Sequence, residues 1–141
     1  MLPSPTDEHI ARLALPGDSG AGAAGREFVT AQLTRWGLPP DTVEIAVLLT
    51  SELVANAVKH APPPGDLTLA LADEFVRVEV GDSSSAPPAV AEQQPRALGG
   101  RGLLLVEALA ARWGWRQETQ GKVVWFTVTV PSVRMAPPVR W

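Results

Sequence analysis

The order of secondary-structure elements predicted along the 141 residues is strand, helix, helix, strand, strand, long loop, helix, strand, strand. Two pairs of strands are adjacent in sequence, and no strand–helix–strand repeat connects them, which favours antiparallel pairing. Hydrophobic residues make up 45% of the chain, enough to form one core in a domain of this size. The sequence therefore predicts an α/β two-layer sandwich, in which a mixed, mostly antiparallel sheet carries its helices on one face.

The first half of the chain is predicted to contain a short strand and two helices. Residues 9–15 are compatible with a strand and precede the breaker PGDSG. Residues 21–36 carry apolar side chains at helical spacing and stop at a glycine. A long helix is predicted over 41–60, where Asp41 and Glu44 have the spacing of a capping box.

The second half of the chain is predicted to contain two strands before a long loop and a helix, and two strands after them. The predicted strands are 67–73, 76–82, 115–119 and 122–130, with Gln120-Gly121 at the turn of the last hairpin. Residues 83–99 are rich in Ser, Pro and Gln and poor in large apolar groups, which predicts a mobile loop of unusual length. A helix follows from the glycines near 100 to about Arg112.

Composition limits the classes of partner. Residues 1–141 are predicted to form a single domain, with frayed, proline-rich ends at about 1–8 and 132–141. The net charge of −3 and the scattered basic residues argue against nucleic-acid binding. No apolar run approaches the ~20 residues that span a bilayer, and the N-terminus lacks a signal-peptide pattern, so we expect no membrane partner and a cytoplasmic location. The absence of cysteine excludes thiolate metal sites, so a metal would be oxygen-bound.

The segment SELVANAVKHA at 51–61 places polar residues on an otherwise apolar helix. Glu52 and Asn56 are one helical turn apart, and Lys59 or His60 continues the same stripe. The stripe offers a carboxylate, an amide carbonyl and a cation together. Because burying a carboxylate without a partner is costly, the stripe either faces a ligand or partner or forms the solvated face of an amphipathic helix.

A second candidate lies at the end of the strand VRVEVGD. Strand alternation places Asp82 on the same face as Val76, Val78 and Val80. Asp82 is therefore either a turn-forming residue or a specific acceptor inside a pocket.

A third candidate is the glycine cluster that precedes the last helix. Glycines around Arg101 let backbone N–H groups approach an anion, which a helix N-terminus already favours. Hinge glycines have the same pattern, and the P-loop motif is absent. Phosphate binding and a flexible hinge are both compatible with this segment.

These three signals occur in an order that resembles a known superfamily. The chain is similar to the ATP-binding domain shared by DNA gyrase, heat-shock chaperones, sensor histidine kinases and mismatch-repair ATPases, and most of all to the bacterial anti-sigma-factor serine kinases. The resemblance runs from AGREFVTAQLTRWGL through SELVANAVKHA and GGRGLLLVEALAARWGW to GKVVWFTV, nearly the whole chain. SELVANAVKH is the most specific of these segments.

The resemblance implies ATP and Mg²⁺ as cofactors and assigns roles at the matching positions. Glu52 would be the general base that orients or deprotonates the attacking hydroxyl, and Asn56 would give its side-chain oxygen to Mg²⁺. Asp82 would accept a hydrogen bond from the adenine amino group, with Ser84 near the nucleotide. The residues expected around the phosphates are Lys59 or His60 together with Gly100, Arg101, Gly102 and Leu103. His60 is equally compatible with a structural role.

Two functions follow from the resemblance. The first is a serine/threonine kinase that binds a sigma factor and phosphorylates an antagonist protein, and the resemblance implies that it is a homodimer. Glu52 favours this function. The second is a non-catalytic, ATP-responsive module that switches a partner protein. Asp82-Ser83-Ser84-Ser85-Ala86 stands where the superfamily has Asp-x-Gly-x-Gly, which favours the second. A plain α/β interaction domain without ATP is a third reading.

Overall fold

The structure is a computed structural model that describes residues 9–88 and 102–131. The elements in these ranges are β1 (Ile10–Ala14), α1 (Ala21–Arg35), α2 (Pro40–His60), β2 (Asp66–Leu71), β3 (Phe75–Asp82), α3 (Gly102–Leu109), β4 (Arg112–Glu118) and β5 (Gly121–Thr129). The proposed frayed ends and residues 89–99 of the predicted loop lie outside the described ranges.

The described strands form one open sheet in the order β1-β2-β3-β5-β4. Each of its four strand pairings is antiparallel. The predicted α/β architecture with a mostly antiparallel sheet is confirmed. Within the described residues the pairing is antiparallel throughout. Short turns join β2 to β3 and β4 to β5, whereas α1 and α2 lie between β1 and β2 in the chain.

One hydrophobic core lies between the inner face of the sheet and the helices. Helix α2 contacts β3 and β5, while α1 and α3 pack against α2. Strand alternation turns Val76, Val78 and Val80 of β3 inward, where all three are buried. The other fully buried large side chains are Phe126, Leu33, Leu49, Leu67, Leu69, Val29, Val54 and Val106. The opposite sheet face carries charged residues such as Arg77 and Glu79.

The predicted capping box at the start of α2 is wrong. The helix begins at Pro40, its N-cap is Pro39, and no side chain caps it. Asp41 and Glu44 are both exposed. Proline is suited to the first helical turn because its φ is already helical and it has no N–H that needs a partner. The backbone N–H of Val43 donates to the carbonyl of Pro39 at 3.0 Å.

Several predicted boundaries shift around the last hairpin. Helix α3 ends at Leu109 rather than near Arg112, and β4 begins at Arg112 instead of Trp115. Pairing with β5 explains both changes, because Arg112 lies opposite Thr127 in the ladder. The turn is Thr119-Gln120 rather than Gln120-Gly121, since Gly121 already pairs with Glu118. None of the helices in the described ranges is long and apolar enough to cross a membrane.

Candidate functional site

A cavity of about 130 Å³ lies between the second half of α2 and the adjacent ends of β3 and β5. Its apolar wall includes Leu53, Ala57, Val80 and Val124. The polar residues that line it are Asn56, His60, Asp82, Ser84 and Lys122, and Ala61, Ala86, Pro87 and Pro88 complete the lining. An apolar cavity with a few convergent polar groups is the usual form of a small-molecule site.

Backbone contacts hold the end of α2 beside the end of β3. The N–H of Ser83 donates to the carbonyl of Ala61 at 3.1 Å, and its hydroxyl donates to the carbonyl of Pro63 at 2.9 Å. Nearby, the N–H of Gly65 donates to the carbonyl of Gly81 at 2.8 Å. These bonds fix the distance between the polar residues on the helix and those that follow the strand.

Asp82 lies on the inner, valine-bearing face of β3, as the alternation predicted. Its side chain is only 4% exposed. One carboxylate oxygen accepts the backbone N–H of Ser84 at 2.9 Å, which closes a turn directly after the strand. The other lies 2.9 Å from the ammonium nitrogen of Lys122. Asp82 therefore forms a turn and also lines the cavity, and its role as an acceptor for a ligand stays a prediction.

Ser84 takes part in a second turn. Its side-chain oxygen accepts the backbone N–H of Ala86 at 3.0 Å. The first residues of the predicted mobile loop thus carry local hydrogen bonds as far as 86, and the predicted mobility of 83–99 stays a prediction.

The predicted site residues on α2 fall into two groups. Asn56 and His60 line the cavity, whereas Glu52 and Lys59 are not among its lining residues. Glu52 is half-buried one turn before Asn56, and Lys59 is exposed. The predicted role of Glu52 as general base and the predicted contact of Lys59 with phosphate oxygens therefore stay predictions.

The predicted phosphate-binding segment is described only in part. Gly100 and Arg101 lie outside the described residues. Gly102 is the first residue of α3 and Leu103 the second. Because α3 packs on α2, its N-terminus belongs to the same helical layer as the polar stripe.

Lys122 is the cavity residue that sequence reasoning missed. It is 5% exposed and lies at the start of β5. The sequence did indicate that Lys122 faces inward, because Lys122, Val124 and Phe126 share one face of a strand. Its pairing with Asp82 depends on the register of β3 and β5, in which these two residues are directly opposite.

The oxygen atoms available in the cavity suit a hard cation that takes most of its ligands from a bound nucleotide and from water. Within residues 9–88 and 102–131, no three His, Cys, Asp or Glu side chains lie together as a metal site. Asn56 offers an amide oxygen in the cavity. Mg²⁺ commonly takes one or two protein oxygens and completes its shell with phosphate and water, so the residues fit a nucleotide-bound Mg²⁺.

Comparison with known proteins decides the family. Residues 16–128 match the histidine kinase-like ATPase domain family. The chain belongs to this family. Membership in the histidine kinase-like ATPase family supports an ATP-binding role, and the cavity beside Asn56 and Asp82 lies inside the matched region. No curated protein matches the chain.

Two solved structures are similar to this family member. One contains the RsbU and RsbW domains of a Mycobacterium tuberculosis protein, with 22% identity and a TM-score of 0.66. The other is the histidine kinase domain of a blue-light-activated histidine kinase from Erythrobacter litoralis, with 20% identity and a TM-score of 0.50. Both matches cover 87% of the chain, but only 33% of the first structure and 68% of the second. These likenesses show the fold.

Proposed function

We propose that the protein is an anti-sigma factor that binds Mg-ATP and transfers its terminal phosphate to a serine or threonine of an antagonist protein. The observation that carries the proposal is the placement of Asn56 and Asp82 on one cavity, with Glu52 one helical turn away. The similarity to a structure that contains an RsbW domain supports the regulatory part.

In this proposal Asp82 binds the base. Its carboxylate lines the cavity beside Val80 and Val124. Apolar walls suit a flat aromatic ring, and the carboxylate accepts a hydrogen bond from the adenine amino group. Ionised carboxylates have about four lone-pair sites, so Asp82 retains acceptor capacity beyond its bonds to Ser84 and Lys122.

In the same proposal the phosphates would lie nearer the helical layer than the base. Asn56 would hold Mg²⁺ through its side-chain oxygen, and His60 or Lys59, at the end of α2, would contact phosphate oxygens. The segment Gly100, Arg101, Gly102 and Leu103, which precedes and begins α3 in the sequence, would bind the phosphates, because a helix N-terminus favours anions. When bound, Mg²⁺ neutralises charge on the phosphates.

Glu52 is proposed as the general base. Its carboxylate accepts the proton of the attacking serine or threonine hydroxyl while that oxygen bonds to the γ-phosphorus and the bond to ADP breaks. Proton transfer by a positioned base contributes about 10²–10⁴-fold to a rate. Positioning and charge neutralisation supply the rest of phosphoryl transfer.

The partners follow from the same proposal. In this proposal the protein binds a sigma factor and an antagonist protein in the cytoplasm. Phosphorylation of the antagonist determines whether the protein binds the sigma factor or the antagonist. A homodimer is part of the proposal.

A specific observation favours a second candidate, the non-catalytic switch. Ser84 stands where the superfamily has a glycine, and its side-chain oxygen holds the N–H of Ala86. A turn fixed in this way transmits nucleotide binding to a partner surface without any transfer of phosphate.

Nucleotide titration with and without Mg²⁺ tests the shared part of both candidates. ATP and ADP should raise the melting temperature by mass action on the folded state, more so with Mg²⁺. Asn56→Ala should weaken binding in Mg²⁺ by about tenfold to a hundredfold, as expected for loss of one bond to a charged group. Asn56→Asp, which keeps an oxygen ligand, is the matched control. If neither nucleotide changes the melting temperature of the protein at millimolar concentration, the proposal that it binds ATP is wrong.

A further inference from the structure

Lys122 is a buried lysine on the wall of the candidate nucleotide cavity. The alternation of β5 turns it inward with Val124 and Phe126, and only 6% of its side chain is exposed. A lysine is seldom buried to this degree unless it is paired. Its position therefore requires a specific partner.

That partner is Asp82. The ammonium nitrogen of Lys122 lies 2.9 Å from one carboxylate oxygen of Asp82, whose side chain is 4% exposed. The two residues are directly opposite each other in the ladder of β3 and β5. The pair therefore stands at the sheet end of the cavity, and both of its members line that cavity.

The pair has hydrogen-bonding capacity that the protein does not use. An ammonium group has three donors, and among the described residues Asp82 is the one ionic or hydrogen-bonding partner of Lys122. Asp82 accepts from Ser84 and Lys122 and still has free lone pairs. Side by side, the pair therefore presents unused donors of Lys122 next to unused acceptor sites of Asp82 to a ligand in the cavity.

We propose that Lys122 is a base-specificity residue that reads adenine jointly with Asp82. Adenine presents an amino donor beside ring-nitrogen acceptors, and this edge is complementary to an acceptor next to a donor. Asp82 accepts from the amino group, while the ammonium of Lys122 donates to one of the two ring nitrogens that flank it. The inference rests on the proposed binding of ATP and adds a second contact to the base.

The ring nitrogens provide a direct test. ADP, 1-deaza-ADP and 7-deaza-ADP, each lacking at most one flanking ring nitrogen, are titrated calorimetrically into the wild type and into Lys122→Met. In the wild type, one of the two deaza analogues should bind about tenfold or more weakly than ADP, as expected for a lost hydrogen bond to a charged group. In Lys122→Met, ADP should lose a similar factor, and the same analogue should bind as well as ADP.

Two control variants distinguish recognition of adenine by Lys122 from a purely structural role of this residue. Arg12→Met removes a positive charge from an exposed position on β1 and should leave all three affinities unchanged. Lys122→Arg, which restores a charged donor, should recover discrimination between the analogue and ADP. A purely structural effect of Lys122→Met would weaken the three ligands equally, and this result would overturn the proposal.

The experiment remains decisive if Lys122→Met does not fold, because the wild-type titrations need no variant. If both deaza analogues bind the wild type as tightly as ADP, no side chain donates to the ring and the proposal is wrong, although ATP binding stands. If GDP binds the wild type more tightly than ADP, adenine reading is overturned. If the wild type binds no nucleotide, the proposed function and this inference fail together.

Discussion

A β-carbon on Gly121 would overlap the backbone carbonyl oxygen of Asp82. Gly121 also has a φ of +155°, in a region that residues with side chains rarely occupy. It begins β5 and directly precedes Lys122. Gly121 therefore permits the close approach of two strands at the point where the buried ion pair forms.

Gly121→Ala should destabilise the fold and disturb the cavity. The backbone conformation alone costs an alanine about 1–3 kcal/mol, and relief of the overlap requires the end of β3 to move. The free energy of unfolding in urea should fall by at least that amount, and ADP binding should weaken. Gly17→Ala is the control, because its β-carbon would meet only Pro63 at 4.0 Å. Equal stability of the two variants would show that the strand approach is not constrained by Gly121.

The ion pair makes a prediction about stability that is independent of nucleotide binding. Asp82→Asn leaves the buried ammonium of Lys122 without a counter-charge, so the free energy of unfolding should fall by about 3–5 kcal/mol. Adding Lys122→Met should recover much of this loss, because both charges are then removed. Urea unfolding of the two single variants and the double variant measures the coupling. A double variant less stable than Asp82→Asn would contradict the pairing.

Periodicity was enough to predict most of the fold. The alternation in β3 and the helical spacing in α1 and α2 both indicate which side of each element faces the core. Burial of that apolar side is what stabilises these elements. The placement of Asp82 on the valine face follows from the same rule. The start of α2 was mispredicted, because Pro40 and the Asp41/Glu44 pair are competing local signals and only one of them sets the first turn.

The Lys122–Asp82 contact could not be predicted from either segment alone. Alternation places each residue on an inward face, but their meeting depends on the register between β3 and β5, which are distant in sequence. Register is fixed by the complete hydrophobic pattern and by the turns. The shift of the last turn to Thr119-Gln120 concerns the neighbouring β4–β5 pairing, whose register the sequence also left open.

Glu79 makes stability depend on acid pH. Burial raises the pKa of this carboxyl group, but hydrogen bonds from Arg116 and Arg77 outweigh burial and hold the pKa below its ordinary value of 4.5. The bonds measure 3.1 Å to Arg116 and 2.8 Å to Arg77. Because the folded pKa lies below the unfolded one, the stabilisation is present above about pH 4.5 and is lost as the pH falls through the folded value.

Glu79→Gln should therefore lower the free energy of unfolding near pH 7 and have progressively less effect in acid. The loss should be roughly 1 kcal/mol, a modest value because solvent screens the pairs, and Arg116 is 44% exposed. Urea unfolding from pH 7 down to pH 3 measures the difference. Glu44→Gln, on the exposed face of α2, is the control for loss of a surface charge. A difference that grows as the pH falls would have the wrong sign for this pairing.

Glu52 and Asn56 provide the test that separates a kinase from a switch. They are one helical turn apart on α2, but only Asn56 lines the cavity. Asn56→Ala should weaken the binding of Mg-ATP itself. Glu52→Gln should leave the dissociation constant nearly unchanged and slow phosphate transfer by about 10²–10⁴-fold, because a base acts mainly at the transition state.

The measurement is transfer of labelled phosphate from ATP to a co-purified antagonist protein, beside nucleotide titration of each variant. Glu44→Gln lies on the same helix two turns before Glu52 and should transfer at the wild-type rate. If Glu52→Gln also transfers at that rate, Glu52 is not the base. If the wild type binds Mg-ATP but neither transfers phosphate nor hydrolyses ATP, the switch replaces the kinase. In that case, the two turns formed by Asp82 with Ser84 and by Ser84 with Ala86 would be the part of the molecule through which a bound nucleotide acts on a partner.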